Sequence, residues 1–422
     1  MGTETPQPAA GRTLFGRQVF VTRFTGIADQ ILYSAVSFLQ IAIYARLFDK
    51  DEFGIFSLAL GVALVLVGIQ RSALVIPMIV LFPTPEDFAG SGRWAGVQFQ
   101  IACAVAVLLG LLSVVAFALN RADLGWLFAL SALIATGQLL LDYQRSALYQ
   151  LRKARSALLV SALYLAANLL GFAAVALWSR HALGAAIAAG STAILAAAVA
   201  RARRGPLRIG TAADRSRQHV RATIGWNMAS FLPYTIYNNG MVLIVGALAG
   251  PAVAAVFAAT RLFVAPVQLL TAAIDNTDKP RASRALATKG ITGFIHSLRN
   301  TGMTLLLLGV PYLVAIAIAP DVFGSLLLGP RYAEDMWIAR IWALMGVLIL
   351  LGQPLESGLV LLGRSNWLFA CRCVAALSTL IGAALLIPHF GAAGAVAALV
   401  GGWIFSTAQA WLGLRLQIEK VR

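Results

Sequence analysis

The stretch QFQIACAVAVLLGLLSVVAFAL (98–119) contains no charged side chain and decides the fold class. At a rise of about 1.5 Å per residue, a helix of this length crosses the roughly 30 Å hydrocarbon core of a bilayer. Residues 156–178 and 302–319 form similar apolar stretches. Because the bilayer interior supplies no water to the backbone, such segments must be α-helices. The sequence therefore predicts an all-α membrane protein that crosses the bilayer several times.

The composition agrees with a membrane protein. Of the 422 residues, 59% are hydrophobic and 12% are charged, whereas an average soluble domain has about 25% charged residues. The mean hydropathy is +0.81. A soluble fold could not bury this much apolar surface.

Apolar runs and the polar residues between them predict twelve transmembrane spans. These are 26–48, 53–82, 94–119, 124–141, 156–179, 182–199, 224–248, 251–274, 300–319, 337–361, 367–387 and 391–413. The second is too long for one ordinary crossing, so it either extends beyond the bilayer or breaks near Pro77.

The basic residues predict the orientation of the spans. The first 25 residues contain no cleavable signal peptide, so we expect the N-terminus to stay in the cytoplasm. Most of the 33 lysines and arginines then fall in cytoplasmic segments, as the positive-inside rule requires. The outer loops hold only Arg46, Lys50, Arg121, Arg180 and Arg331. This topology also explains the net charge of +16, so nucleic acid is not an expected partner, although basic loops can contact anionic membrane lipids.

The longest polar connection divides the spans into two halves. We predict a cytoplasmic N-terminal segment (1–25), an N-lobe (26–199), a basic linker (200–222), a C-lobe (223–413) and a cytoplasmic tail (414–422). A shift of 201 residues aligns the first two spans of each lobe, so that Tyr33 falls on Tyr234 and Phe56 on Phe257. The pattern predicts two pseudo-symmetric lobes of six helices.

A polar stripe follows one face of the first span in each lobe. The first stripe consists of Tyr33, Ser37, Gln40 and Tyr44, and the second of Asn227, Ser230, Tyr234 and Asn238. Polar groups inside a membrane usually face the interior of the helix bundle or a water-filled pathway. We expect the stripes to face each other across a cavity; the alternative is that they make only interhelical hydrogen bonds.

Charged residues inside the spans are the sharper indication of function. Arg71, Arg261, Arg340 and Arg372 lie in apolar stretches, and Asp29, Asp142 and Glu356 are the nearest acids. An arginine at the membrane centre costs about 3 kcal/mol on insertion scales. Arg261 is the deepest by count, and a cation at that depth suits an anionic substrate such as a phosphate or pyrophosphate.

Other interpretations remain open for the other charges. Arg340 can extend to the outer interface, and Arg372 with Glu356 can be a structural ion pair. Arg71 and Asp29 can both be interfacial. Asp142 with Arg145 is interpreted as a solvated pair at a helix end.

Signatures of enzymes and metal sites are absent from the sequence. It has no glycine-rich phosphate loop, no HExxH and no Cys/His cluster with metal spacing. We therefore expect a transporter with no catalytic residue, no metal and no cofactor. Prolines and glycines within the spans are candidate hinges for its movement: Pro77, Pro233, Gly240, Pro266, Pro311 and Pro354.

Three segments carry a resemblance to a known family. They are ARLFDKDEFGIFSLALG (45–61), its counterpart VFAATRLFVAPVQLLTAAI (256–274), and DYQRSALYQLRKARSALLVSALY (142–164). The chain resembles the polysaccharide biosynthesis proteins of the multidrug/oligosaccharidyl-lipid/polysaccharide (MOP) flippase superfamily, which flip O-antigen or exopolysaccharide repeat units. The resemblance implies a MATE-like fold with two lobes around a central cavity, in the bacterial cytoplasmic (inner) membrane.

The resemblance also implies a substrate and partners. The substrate would be a polyprenyl-pyrophosphate-linked oligosaccharide, moved by alternating access and coupled to H⁺ or Na⁺, with Asp29 and Glu356 as candidates for ion coupling. A glycan polymerase and a chain-length regulator would be partner proteins. Arg261 would bind the pyrophosphate together with Arg71 or Arg372, and the glycan would lie among Tyr33, Gln40, Asn227, Tyr234 and Asn238.

Two other functions remain as alternatives. A multidrug efflux antiporter of the same superfamily is favoured by a cavity rich in acids, but the deep charges here are mostly basic. A membrane-embedded glycan polymerase or ligase would have a large outer loop, and none is present in the sequence.

Overall fold

The computed structural model describes residues 10–82, 84–208, 225, 229, 232–235 and 237–421. Nearly all of these residues are helical, and none of them forms a β-strand. The predicted all-α class is confirmed.

The described part of the first half contains eight helices. They are α1 (Ala10–Leu47), α2 (Lys50–Gln70), α3 (Ile76–Leu81), α4 (Pro85–Ala89), α5 (Gly92–Ala118), α6 (Ala122–Gln150), α7 (Ala154–Ala174) and α8 (Ala182–Arg204). A π-helical turn, Arg71–Val75, joins α2 to α3, and a second one, Val175–Ser179, follows α7.

The described part of the second half contains six helices. They are α9 (Met241–Ala249), α10 (Pro251–Thr260), α11 (Ala265–Ile318), α12 (Pro320–Leu327), α13 (Ile338–Leu361) and α14 (Ser365–Val421). Two 3-10 turns, Arg261–Val264 and Pro330–Asp335, lie between them. Non-helical backbone interrupts α11 at Gly290 (φ 63°) and α14 at Gly391 (φ 55°). Glycine suits both places because it adopts positive φ without a steric penalty.

Within the described residues, nine helices are long and apolar enough to cross a membrane. Two of them, Pro251–Ile318 and Ser365–Glu419, contain the interruptions at Gly290 and Gly391, and each covers two predicted spans. Every predicted span except the seventh coincides with a described helix. Much of the seventh (224–248) lies outside the described residues, so the count of twelve stays a prediction.

The long second span does not end at Pro77. The helix continues to Leu81, but the π-helical turn ends at Val75, two residues before this proline. Proline has no backbone N–H and its ring clashes with the carbonyl four residues earlier, so an added residue in the preceding turn relieves the clash. The span is therefore deformed at this position and stays continuous.

The helices of each half pack mainly on one another. In the first half, α6 packs on α2, α5 and α8, while α1 and α8 pack on α7. In the second half, α13 packs on α11 and α14, and α9 packs on α10 and α14. The two halves meet where α2 packs on α10, and small residues allow a close approach there. The exact lobe boundaries stay predictions.

Candidate functional site

The polar stripe of α1 bonds to other helices of the first half. The Tyr33 hydroxyl donates to Oε1 of Gln138 at 3.2 Å, and Gln40 Nε2 donates to Oδ1 of Asn168 at 3.1 Å. Tyr44 is fully buried among aromatic rings, and Ser37 is exposed. Tyr33 and Gln40 thus make the interhelical hydrogen bonds that the alternative interpretation described, and their role in binding substrate stays a prediction.

Asp29 lies at the centre of a buried charge cluster. Its Oδ2 accepts hydrogen bonds from Arg145 Nη2 at 2.6 Å and from the Tyr149 hydroxyl. The guanidinium of Arg145 also lies 3.7 Å from the centre of the Tyr33 ring, which is a cation–π contact. This cluster joins α1 to α6 inside the first half.

The interpretation of Asp142 and Arg145 as a solvated pair is wrong. Asp142 is 3% exposed and Arg145 5% exposed, and each has a different partner. Arg145 pairs with Asp29, while Arg71 Nε lies 3.2 Å from Oδ2 of Asp142. The prediction failed because α6 continues to Gln150, well beyond the apolar stretch that defined the span, and carries both residues into helix contacts.

In the second half, two helix interruptions meet at Arg261. The chain turns at Asn239 and Gly240 before α9 begins. Helix α10 ends at Thr260, and the 3-10 turn that begins with Arg261 follows it. Pro266 lies just after this turn and lacks the N–H that a continuous helix would use. Arg261 Nη1 donates to the Asn238 carbonyl at 2.9 Å, and Nη2 lies 3.5 Å from Asn238 Oδ1. Interrupted helices are typical of binding sites in transporters.

Arg261 has no acidic partner among the described residues. It is partly buried, and its hydrogen bonds go to a neutral residue. Asn238 in turn donates from Nδ2 to the Tyr234 hydroxyl at 3.0 Å. Two predicted site residues, Tyr234 and Asn238, thus lie beside the Arg261 guanidinium. Asn227 and Ser230 lie outside the described residues.

Arg372 and Glu356 form the expected ion pair beside this group. Arg372 Nη2 lies 3.2 Å from Glu356 Oε2. The Arg372 side chain is 27% exposed and the Glu356 side chain 21% exposed. The Arg372 guanidinium also lies 5.6 Å from the centre of the Tyr234 ring. With Arg261, this part of the second half carries two cations and one anion. We call Tyr234, Asn238, Arg261, Glu356 and Arg372 the cationic group.

Sequence reasoning missed several partners of the predicted residues. Gln138 donates to the Tyr164 hydroxyl at 2.8 Å, and Asn168 donates to Thr192 Oγ1 at 3.0 Å. These polar residues lie on later helices of the first half. Their presence within apolar spans was a signal that could have identified them, but their pairing with α1 depends on the packing.

The two halves are tied together at the end where α1 finishes. Arg46 donates to carbonyls at the end of α12, those of Ser325, Leu326 and Leu327, and Arg331 donates to the Phe48 carbonyl. Lys50 Nζ pairs with Oδ2 of Asp335 at 2.8 Å. We call Arg46, Lys50, Arg331 and Asp335 the latch.

Arg340, the remaining arginine within a span, lies near the same end. It is exposed, and its Nε donates to the Ala317 carbonyl at 3.2 Å. This position agrees with a side chain that extends to the interface.

Comparisons with known proteins bear on the fold. No protein-family model matches the sequence, and no curated protein matches it. Solved structures do match. One is a multidrug resistance MATE family transporter of the MOP superfamily in its inward-facing conformation, with a TM-score of 0.64 and 15% identity over 95% of both chains.

Two further structures show the same likeness. The lipid II flippase MurJ in an inward closed conformation gives a TM-score of 0.65 and 11% identity, over 96% of this chain and 87% of that one. A MOP superfamily transporter from Pyrococcus furiosus gives 0.59 and 13% identity, over 95% of this chain and 94% of that one. The chain is therefore a multi-pass membrane protein with the fold of the MOP superfamily transporters.

Proposed function

We propose that the protein is an alternating-access flippase for a polyprenyl-pyrophosphate-linked oligosaccharide. It moves the repeat unit from the inner to the outer leaflet of the bacterial cytoplasmic membrane, for exopolysaccharide or O-antigen synthesis. The observation that carries this proposal is Arg261, a partly buried guanidinium with no acid in ion-pair distance among the described residues, at the meeting of two interrupted helices.

The chemistry of Arg261 suits a pyrophosphate. Its five N–H groups form a fixed fork that binds two phosphate oxygens at once, and such bonds are about twice as strong as neutral ones. Charge in a membrane interior is costly unless it is compensated. An arriving pyrophosphate supplies that compensation, and Arg372 can add a second contact. Arg71 is a third candidate from the first half, and Tyr33, Gln40, Asn227, Tyr234 and Asn238 are the proposed glycan contacts.

The basic residues set the proposed orientation. Both termini and the central linker lie in the cytoplasm, so the latch lies at the outer surface. Because the latch joins the two halves there, this conformation is closed to the outside. Transport requires it to open while the inner ends of the lobes approach each other. Coupling to H⁺ or Na⁺ through Asp29 or Glu356, and partnership with a glycan polymerase and a chain-length regulator, are parts of the same proposal.

The first test compares substitutions of Arg261 in a deletion strain. Arg261→Gln keeps much of the side-chain volume and can still bond to Asn238, but it loses the charge. An Arg–phosphate contact contributes about 1.5–3 kcal/mol, so we expect a loss of roughly ten- to a hundredfold in transport. The lipid-linked repeat unit should accumulate on the inner leaflet.

Arg340→Gln is the matched control for this experiment. It removes the same charge from another span, at an exposed position near the membrane surface. At equal expression it should restore the wild-type pool of lipid-linked glycan, and Arg261→Lys should be intermediate. Normal export by Arg261→Gln would contradict the cationic site. A strain that exports unpolymerised units when the gene is deleted would point to a polymerase or ligase instead.

Multidrug efflux is the second candidate. The buried acids Asp29 and Asp142 favour it, because acids in the membrane interior attract cations and protons. Deletion of the gene should then raise drug sensitivity, with surface glycan left normal. Loss of surface glycan without a change in drug sensitivity would exclude this candidate.

A further inference from the structure

A cleft lies in the first half of the chain, away from the cationic group and the latch. Its volume is about 670 Å³. Residues near the ends of α5, α6 and α8 line it together with residues 205–207 of the basic linker. The side chains that matter for its chemistry are Gln98, Phe99, Leu140, Gln144, Arg201 and Arg204.

The polar end of the cleft contains groups without partners. Arg204 is 8% exposed, and its Nη1 has no hydrogen-bond partner in the described part of the chain. Its Nε makes one long contact, 3.4 Å to the Gly205 carbonyl. Oε1 of Gln98 and of Gln144 likewise lack partners there. A buried charged donor without a partner is costly, which indicates that a ligand completes the site.

The other wall of the cleft is apolar. Phe99 is 50% exposed, and its neighbours Val97 and Ile101 on α5 are 43% and 37% exposed. A helix face with this many exposed apolar side chains is typical of contact with lipid. The cleft therefore has arginines at one end and a lipid-facing apolar surface at the other. A phospholipid has the same arrangement, with its phosphate at one end and its acyl chains at the other.

The basic linker forms one wall of the cleft, and backbone hydrogen bonds hold it in place. The Gly92 N–H donates to the Arg208 carbonyl at 2.9 Å, and the Arg208 N–H donates to the Ala89 carbonyl at 2.7 Å. A Cβ at position 92 would lie 2.7 Å from the Arg208 carbonyl oxygen, so glycine allows this approach. The linker start thus forms a fixed wall of the cleft.

We propose that this cleft binds the phosphodiester headgroup of an anionic membrane lipid. Arg204 and Arg201 contact the phosphate, Gln98 and Gln144 accept hydrogen bonds from headgroup hydroxyls, and an acyl chain lies along Phe99 and Leu140. The site differs from the proposed transport site and does not depend on the transported substrate. The basic-residue topology assigns it to the inner leaflet.

The test measures lipid binding by the purified full-length protein. Phosphatidylglycerol is titrated into micelles of short-chain phosphatidylcholine that contain the protein, and the midpoint of the resulting rise in Tm is recorded. Arg204→Gln should shift this midpoint by about ten- to a hundredfold, because one charge-assisted phosphate bond is lost. Arg203→Gln is the matched control, since it removes the same charge from an exposed position in the same helix turn. Its midpoint should stay within about twofold of wild type.

A second variant guards against misfolding of Arg204→Gln. A Cβ at Gly96 meets no atom within 4 Å, and Gly96 lines the cleft. Gly96→Leu should therefore fill the space and weaken binding by a similar factor, with all arginines kept. Leucine also favours the helix over glycine.

Three results would overturn the proposal. Equal losses in Arg203→Gln and Arg204→Gln would mean that the lipid acts through general surface charge. Wild-type binding by Gly96→Leu would place the lipid elsewhere. Equal stabilisation by inorganic phosphate in pure phosphatidylcholine would identify a site for free phosphate.

Discussion

Four arginines lie within apolar stretches of this chain, and only two of them have an acidic partner among the described residues. Arg71 lies near Asp142, Arg372 near Glu356, and Arg340 reaches a backbone carbonyl at an exposed position. Within the part of the chain that the structure describes, Arg261 bonds to Asn238 alone. In a medium of low dielectric, an uncompensated charge acts strongly on a nearby ligand. This difference makes Arg261 the best position for an anion.

Loss of one partner of the buried pair Asp29 and Arg145 should destabilise the protein strongly. Their side chains are 1% and 6% exposed, and removal of one partner leaves a buried charge uncompensated. Arg145→Met should therefore destabilise the protein by about 3–5 kcal/mol. The thermal unfolding of the detergent-solubilised protein measures this loss.

A double variant separates pairing from general damage. Asp29→Leu with Arg145→Met removes both charges, and it should recover most of the lost stability because apolar residues replace a buried pair at little cost. If the double variant is less stable than Arg145→Met, Asp29 contributes mainly through other contacts, such as that with Tyr149.

The sequence predicted some residues of the site and missed their partners. Depth along an apolar run identified Arg261, and helical spacing identified Tyr234 and Asn238, which do lie beside it. Nothing in the spacing could pair Asp29 with Arg145, because 116 positions separate them. Such a contact depends on how α6 packs, and helix packing is decided by side-chain shapes across several helices.

At the scale of the helices, the apolar runs were a good guide to position and a poor guide to length. Composition sets which residues can face lipid, so the spans were predictable. Helices outside the bilayer follow other rules. Residues 275–299 were predicted to be a polar connection between two spans. They are helical, because α11 runs from Ala265 to Ile318 with an interruption at Gly290.

The crossing of α2 and α10 depends on Gly54. A Cβ at this position would clash with the backbone carbonyl of Pro251, which cannot move aside as a flexible side chain could. Gly54→Ala should force the helices apart and cost about 1–3 kcal/mol. The measurement is again Tm, together with the proposed transport of lipid-linked glycan.

Gly110→Ala on α5 is the control for this substitution. A Cβ there meets nothing within 4 Å, so the change should leave stability equal or raise it by up to about 1 kcal/mol through helix propensity. A stable and active Gly54→Ala protein would mean that the two halves do not approach as closely as described.

At the scale of the whole molecule, the latch joins the two halves by contacts that are easily broken. Arg46 and Arg331 bond to carbonyls near the ends of α12 and α1, where helices leave these groups unsatisfied and carry partial negative charge. Tyr332 is buried beside Lys50, and burial raises the pKa of its phenol, so it stays neutral. A partly exposed ion pair contributes about 1 kcal/mol or less. The latch can therefore open without a large barrier from any single contact.

Reversal of one latch charge should shift the molecule towards a form that is open at the latch, which is the outward-open form in the proposed orientation. Lys50→Glu faces Asp335 with a like charge, and a change of about 1 kcal/mol alters a two-state equilibrium roughly fivefold. Ala45 is fully buried at this end of α1. In a background where Cys103, Cys371 and Cys373 are alanine, Ala45→Cys should react several-fold faster with an external maleimide when Lys50→Glu is present.

The charge-swapped pair decides whether the latch itself is responsible. Lys50→Glu combined with Asp335→Lys restores opposite charges in exchanged places, so the slow labelling of Ala45→Cys should return. If labelling stays fast in the double variant, the single substitution disturbed the end of the helix and not the ion pair. If labelling never changes, the latch does not control outer access, and the outer closure must depend on the packing of α2 against α10.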